Sequence, residues 1–136
     1  MFTPVTKEQT APLKSDADVV RARQLVRDWA VELRFSLVDQ TKLVTAASEL
    51  ARNTITYGNG GVMKMEMIAK DSRSGLRLSF EDQGPGIADI ELALQDGYTT
   101  GSGLGLGLSG SKRLVNEFEI KSQVGKGTRV TVTRWK

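Results

Sequence analysis

The chain has 136 residues, 39% hydrophobic and 26% charged, which suits one compact domain, 1–136, burying about two-thirds of its unfolded surface. It contains no histidine and no cysteine, which excludes disulfides, thiolate nucleophiles, imidazole bases and nearly every zinc site. Its 19 Lys+Arg and 16 Asp+Glu, net +3, are spread without the basic cluster of a nucleic-acid binder.

No run approaches the ~18 apolar residues of a membrane helix. The opening MFTPVTKEQTAPLK lacks the basic-then-apolar order of a signal peptide. A cytoplasmic protein with no membrane partner is the expectation. Neither an internal repeat nor a linker interrupts the chain, and Pro4, Pro12 and Pro85 lie outside the strongly periodic segments.

In chain order, an edge strand is expected at about residues 5–10. After Ser15 and Asp16, which can cap a helix, Val19, Ala22, Val26, Trp29, Ala30 and Leu33 recur at helical spacing. A second helix runs from Leu37 with Leu43, Ala46, Ala47, Leu50 and Ala51 on its apolar side, until Gly58, Asn59, Gly60 and Gly61 break it. Residues 62–69 alternate as a strand, with Met63, Met65, Met67 and Ala69 on one face. Residues 76–82 do the same, placing Leu76, Leu78, Phe80 and Asp82 in one row.

Residues 83–103 read as loop with a short helix near 90–95. Leu104, Leu108, Leu114, Val115 and Phe118 then suggest a third helix opening on a glycine-rich turn. The chain ends as a hairpin: Phe118, Ile120, Ser122 and Val124 face Thr128, Val130 and Val132 across a Gly125–Gly127 turn. Every strand alternates, so helices should cover one face only. The expected class is α+β, a two-layer sandwich of a mixed, mostly antiparallel sheet with three main helices on one face.

Three constellations carry chemical potential. Glu49 and Asn53 in SELARN stand four residues apart on one helical face. A carboxylate and an amide oxygen there suit a general base and a hard oxygen ligand for Mg²⁺, although alone they are equally a solvated face with Glu49 beside Arg52. In EDQGPGI, Asp82 extends an apolar row into Gly84, Pro85 and Gly86. A carboxylate facing a core costs free energy unless a donor meets it; a ligand's exocyclic amine is one candidate, and Thr128 enters the same face.

The third is GSGLGLGLSG, with Gly101, Gly103, Gly105, Gly107 and Gly110 leading into a helix. Glycine backbone N–H groups curl around phosphate, and a helix N-terminus adds positive charge. Gly105, Gly107 and Gly110 match GxGxxG, but no strand leads into them and no βαβ unit follows, so a dinucleotide fold is rejected. No GxxxxGK[ST] loop occurs either. Without a ligand the segment would simply be a flexible lid.

Together, helix-borne ExxxN, strand-end DxGxG and a glycine-rich turn opening a helix resemble the N, G1 and G2 boxes of the GHKL ATPase and kinase superfamily. The resemblance covers residues 16–134, including the terminal GKGT. ASELARN, EDQGPGI and GLGLGLSGSKRLVNEF are most similar to its small serine/threonine switch kinases of bacterial stressosomes. The resemblance implies that Glu49 assists the nucleophile and Asn53 binds Mg²⁺. It further implies that Asp82 accepts from the adenine amino group with support from Thr128, that Gly84 and Gly86 shape the pocket, and that Gly101, Gly103, Gly105 and Gly107 wrap the phosphates of ATP.

The implied partners are STAS-domain antagonist and scaffold proteins, together with a phosphatase that the released kinase activates. An anti-sigma factor of the same fold is the second expectation, and a nucleotide-regulated adaptor without catalysis is the third. Residues 83–101 contain no Lys or Arg. A cation for the γ-phosphate is therefore expected from Lys112 first, or from Arg52 or Arg113. With no histidine, self-phosphorylation on histidine is excluded.

Overall fold

The structure, a computed structural model, describes residues 4–95 and 107–136. Five strands form one sheet in the order β1-β2-β3-β5-β4, and every pairing is antiparallel. The strands are β1 (Val5–Leu13), β2 (Gly61–Lys70), β3 (Arg73–Asp82), β4 (Glu117–Gln123) and β5 (Gly127–Trp135). The expected parallel component is absent as a pairing among the described strands: β2–β3 and β4–β5 are hairpins, β1 and β2 are joined through two helices, and β3 and β4, which point the same way, are kept apart by β5.

The long helices α1 (Asp16–Glu32) and α2 (Leu37–Gly58) pack on one face of the sheet. Ser15 stands at the α1 N-cap without a side-chain cap bond, and Asp18 instead accepts from the Lys14 N–H at 2.8 Å. Ser36 does cap α2, accepting from the Asp39 N–H at 3.1 Å. At the far end Asn59 takes the left-handed conformation (φ 61°), which stops α2 and turns the chain into β2.

The core is the apolar face read from the sequence. Met63, Met65, Leu76, Leu78, Phe80, Val130 and Val132 meet Val26, Trp29, Leu43, Ala47 and Leu50 from the helices. Each fully buried large side chain there contributes about 1.5–3 kcal/mol. Ala11 and Leu13 join them, so β1 runs further than expected. Pro12 is tolerated because β1 is an edge strand.

Two further expectations are corrected. The opposite sheet face is not wholly solvated: Glu66, Ile68 and Thr133 are buried there. The Trp135 ring lies over Gly75, where a Cβ would meet it at 2.7 Å, and Arg77 Nε donates to Glu66 at 2.9 Å. The third helix stops early. After α3 (Ile90–Ala93), α4 covers Gly107–Lys112 among the described residues and ends well before Phe118, which belongs to β4 opposite Val132. Alternating burial along residues 117–123 outweighs the helical spacing that Leu114, Val115 and Phe118 suggest.

Candidate nucleotide-binding site

A cavity of about 510 Å³ opens between α2, the sheet end carrying Asp82, the loop 85–89, α3 and the start of α4. That is within the range of small-ligand sites. Glu49, Asn53, Asp82, Gly86, Gly107 and Thr128 all line it. The spacing of ExxxN therefore does what the helix geometry predicts, presenting both polar groups to one space.

Glu49 is only 9% exposed, and its Oε1 accepts from the Gly107 N–H at 3.3 Å. No ion pair with Arg52 is formed among the described residues; the carboxylate instead faces the first residue of α4. Asp82, equally buried, is held from the other side. Its Oδ1 accepts from the Gly84 N–H at 2.9 Å and the Thr128 N–H at 3.3 Å. Asp82 and Thr128 are register partners on β3 and β5, which is why the two come together. Among the described residues no protein donor meets Oδ2.

Gly84 does not line the cavity. It packs behind Asp82, where an added Cβ would stand 2.7 Å from the Gly58 Cα. Gly86 does line it, with φ +79° and no room for a Cβ against the Gln123 carbonyl. Gly101, Gly103 and Gly105 lie outside the described residues. Arg52, Lys112 and Arg113 are exposed, and no Lys or Arg lines the cavity among the described residues.

Sequence reasoning passed over three contributors. Gly58 ends α2 directly against the Asp82 carboxylate, leaving no space for a side chain. The apolar residues of α3, Leu92 and Ala93, form one wall. Ser122 hydrogen-bonds Thr128 Oγ1 at 2.7 Å and accepts from the Ile87 N–H at 2.7 Å. Its signal was available, since Ser122, like Asp82, is a polar residue on an inward apolar row.

As to metal, Asn53 and Glu49 offer hard oxygen donors in the same cavity, which suits Mg²⁺ bound chiefly through phosphate and water. Among the described residues no cluster of three or more acidic ligands exists to hold a cation alone. The donor set thus fits Mg²⁺ arriving with a nucleotide. Among the described residues no helix is long and apolar enough to cross a membrane.

A buried carboxylate at a strand end, an ExxxN helix and a helix opening on glycine around one cavity define a nucleotide-binding domain of the ATPase and kinase type. The chain belongs to the histidine kinase-, DNA gyrase B- and HSP90-like ATPase family, whose model matches residues 38–136. It is 46% identical over 123 residues to the serine/threonine-protein kinase RsbT of Bacillus subtilis, covering 90% of this chain and 92% of that one. It is 33% identical over 119 residues to the anti-sigma F factor of Thermoanaerobacter sp. strain X514, covering 84% and 82%.

Among solved structures, it resembles that of the RsbU and RsbW domains of Rv1364c from Mycobacterium tuberculosis. The TM-score is 0.64 at 21% identity, over 95% of this chain and 32% of that one. That likeness speaks to the fold. The family and the RsbT match together make the chain an ATP-utilising enzyme of the serine/threonine protein kinase kind.

Proposed function

We propose that the chain transfers the γ-phosphoryl group of ATP, bound with Mg²⁺, to a serine or threonine hydroxyl of a STAS-domain antagonist or scaffold protein. On this reading it works in the cytoplasm as part of a stressosome partner switch, and once released it activates an effector such as a phosphatase. The observation that carries it is Asp82: a buried carboxylate on the wall of a ligand-sized cavity, with one oxygen held by two backbone N–H groups and the other met by no protein donor among the described residues.

In this reading Asp82 Oδ2 accepts from the 6-amino group of adenine, and Thr128 beside it supports the base. Asn53 holds Mg²⁺, which supplies neutralisation of phosphate charge. Gly107, with Gly101, Gly103 and Gly105, presents backbone to the phosphates. Glu49 takes the proton of the incoming hydroxyl as its oxygen bonds to the γ-phosphorus and the bond to the β,γ-bridging oxygen breaks, releasing ADP. Most of the acceleration comes from positioning.

The match to an anti-sigma F factor supports a second reading, in which the same ATP site serves a chain that binds a sigma subunit. Radiolabel transfer from MgATP to a STAS-domain protein tests the first, comparing wild type with Glu49→Ala and Asp82→Asn. Transfer is expected to fall at least a hundredfold in both variants. Equal transfer by all three proteins would overturn the assignment, and capture of a sigma subunit without transfer would favour the second reading.

A further inference from the structure

We propose that Ser122 sets the nucleotide specificity of the site by fixing the direction of the Thr128 hydroxyl proton, which makes the edge beside Asp82 accept hydrogen bonds only. The inference rests on the adenine reading above. Ser122 lies on β4, opposite Thr128 in register, and does not itself line the cavity.

The Ser122 hydroxyl has three neighbours and one proton to give. Its Oγ accepts from the Ile87 N–H at 2.7 Å, stands 3.1 Å from the Gly127 carbonyl oxygen, and stands 2.7 Å from Thr128 Oγ1. A carbonyl oxygen can only accept. If the Ser122 proton went to Thr128, the Gly127 contact would be two acceptors facing each other. When it goes to Gly127, Ser122 still has lone pairs for both the Ile87 N–H and the Thr128 O–H. All three contacts are then hydrogen bonds, and only this arrangement satisfies them.

The consequence lies at the cavity wall. With its proton committed to Ser122, Thr128 offers the cavity lone pairs alone. Next to it is the Asp82 carboxylate, whose Oδ1 already takes the Thr128 and Gly84 N–H groups. Both groups therefore ask for donors. A 6-aminopurine supplies them at its amino group. A 6-oxopurine brings a carbonyl oxygen to the same place and meets two acceptors, so it is rejected by unpaired polar groups rather than by size. Ser122 is a positioning residue, acting on the base through Thr128. Its bond to Ile87 also ties the loop 85–89, another cavity wall, to the β4–β5 hairpin.

Inosine triphosphate differs from ATP in its 6-oxo group and the proton on N1, which makes it the probe. ATP and ITP affinities are measured by calorimetry for wild type, Ser122→Ala, Ser122→Thr, Thr128→Val and the double variant Ser122→Ala/Thr128→Val. Ser122→Ala frees the Thr128 hydroxyl to turn and donate to O6, so ITP binding should strengthen and the ATP/ITP preference fall roughly tenfold, the worth of one hydrogen bond. Ser122→Thr keeps a hydroxyl and should keep the preference. The double variant should lose the ITP gain, since Thr128 then has no proton to redirect.

An unchanged ATP/ITP ratio in folded Ser122→Ala overturns the proposal, as does an ITP gain that persists in the double variant. Asp82→Asn separates this failure from that of the adenine reading. ATP affinity unaffected by Asp82→Asn removes the reading itself, whereas a large loss there with an unchanged Ser122→Ala ratio removes only the role of Ser122. If Ser122→Ala fails to fold, Thr128→Val carries the test: ATP affinity should fall while ITP affinity does not, and a loss of ITP affinity would mean that Thr128 donates to the base in the wild type.

Discussion

At the scale of single residues the site depends on close approach as much as on functional groups. Gly58 is the clearest case: its α-carbon rests against the Asp82 carboxylate on one side and Gly84 on the other. A methyl group there displaces the carboxylate that meets the ligand. Gly58→Ala removes a glycine from the last position of a helix, which intrinsically favours the variant by up to about 1 kcal/mol. Overpacking costs about 1–3 kcal/mol and acts on the Asp82 side chain, whose Oδ1 is held in place by the Gly84 and Thr128 N–H groups. The expected outcome is a net loss of stability in urea unfolding together with a tenfold or greater loss of ATP affinity. A variant that gains stability and binds ATP normally would show that Asp82 has room to move.

At the scale of elements α2 carries most of the arrangement, holding Glu49 and Asn53 at its middle and Gly58 at its end. Its N-terminal turn is tied across the molecule by Asp39, which pairs with Arg134 of β5; the same guanidinium donates to the Leu114 carbonyl at 3.0 Å. One side chain thereby fastens α2, β5 and the segment after α4. The Arg134 hydrogen bond holds the Asp39 carboxyl below its ordinary value, outweighing partial burial. A depressed folded value means that the contribution is full above the unfolded pKa of about 3.9 and is lost as pH falls through the folded one. Asp39→Asn should therefore lower the melting temperature by a constant amount between about pH 5 and 8, with the gap to wild type closing below about pH 4. Arg134 is largely buried and, among the described residues, its Nε already lacks a partner, so the cost at neutral pH should be about 1–3 kcal/mol. A gap independent of pH down to 3 would show that the pair is not the source.

At the scale of the whole molecule, what the sequence disclosed follows from which forces are local. Alternation and helical spacing reveal the faces of β2, β3, α1 and α2 because burial acts on each side chain separately. Asp82 stood out because a carboxylate in an apolar row needs a reason. The end of α4 and the burial of Glu66 and Ile68 under the second face were not legible, since both depend on long-range partners, β5 for Phe118 and Trp135 for Gly75. Gly58 was readable as a helix stop but not as a floor for Asp82, a contact spanning 24 positions. The same long-range closure predicts how ligand and fold are coupled. The cavity draws walls from α2, β3, β5 and the loop between β3 and α3, so a nucleotide filling it binds the folded chain alone. At a hundredfold excess over its Kd, ATP should add about 2.7 kcal/mol to stability, which for a chain of this length raises the melting temperature by roughly 10 °C. Asp82→Asn should abolish most of that rise by removing the acceptor for the base. Glu49→Gln should keep it while phosphate transfer falls a hundredfold or more, because Glu49 handles a proton rather than the nucleotide. Loss of both the thermal rise and the transfer in Glu49→Gln would instead make Glu49 part of nucleotide binding, through its hold on Gly107 at the mouth of α4.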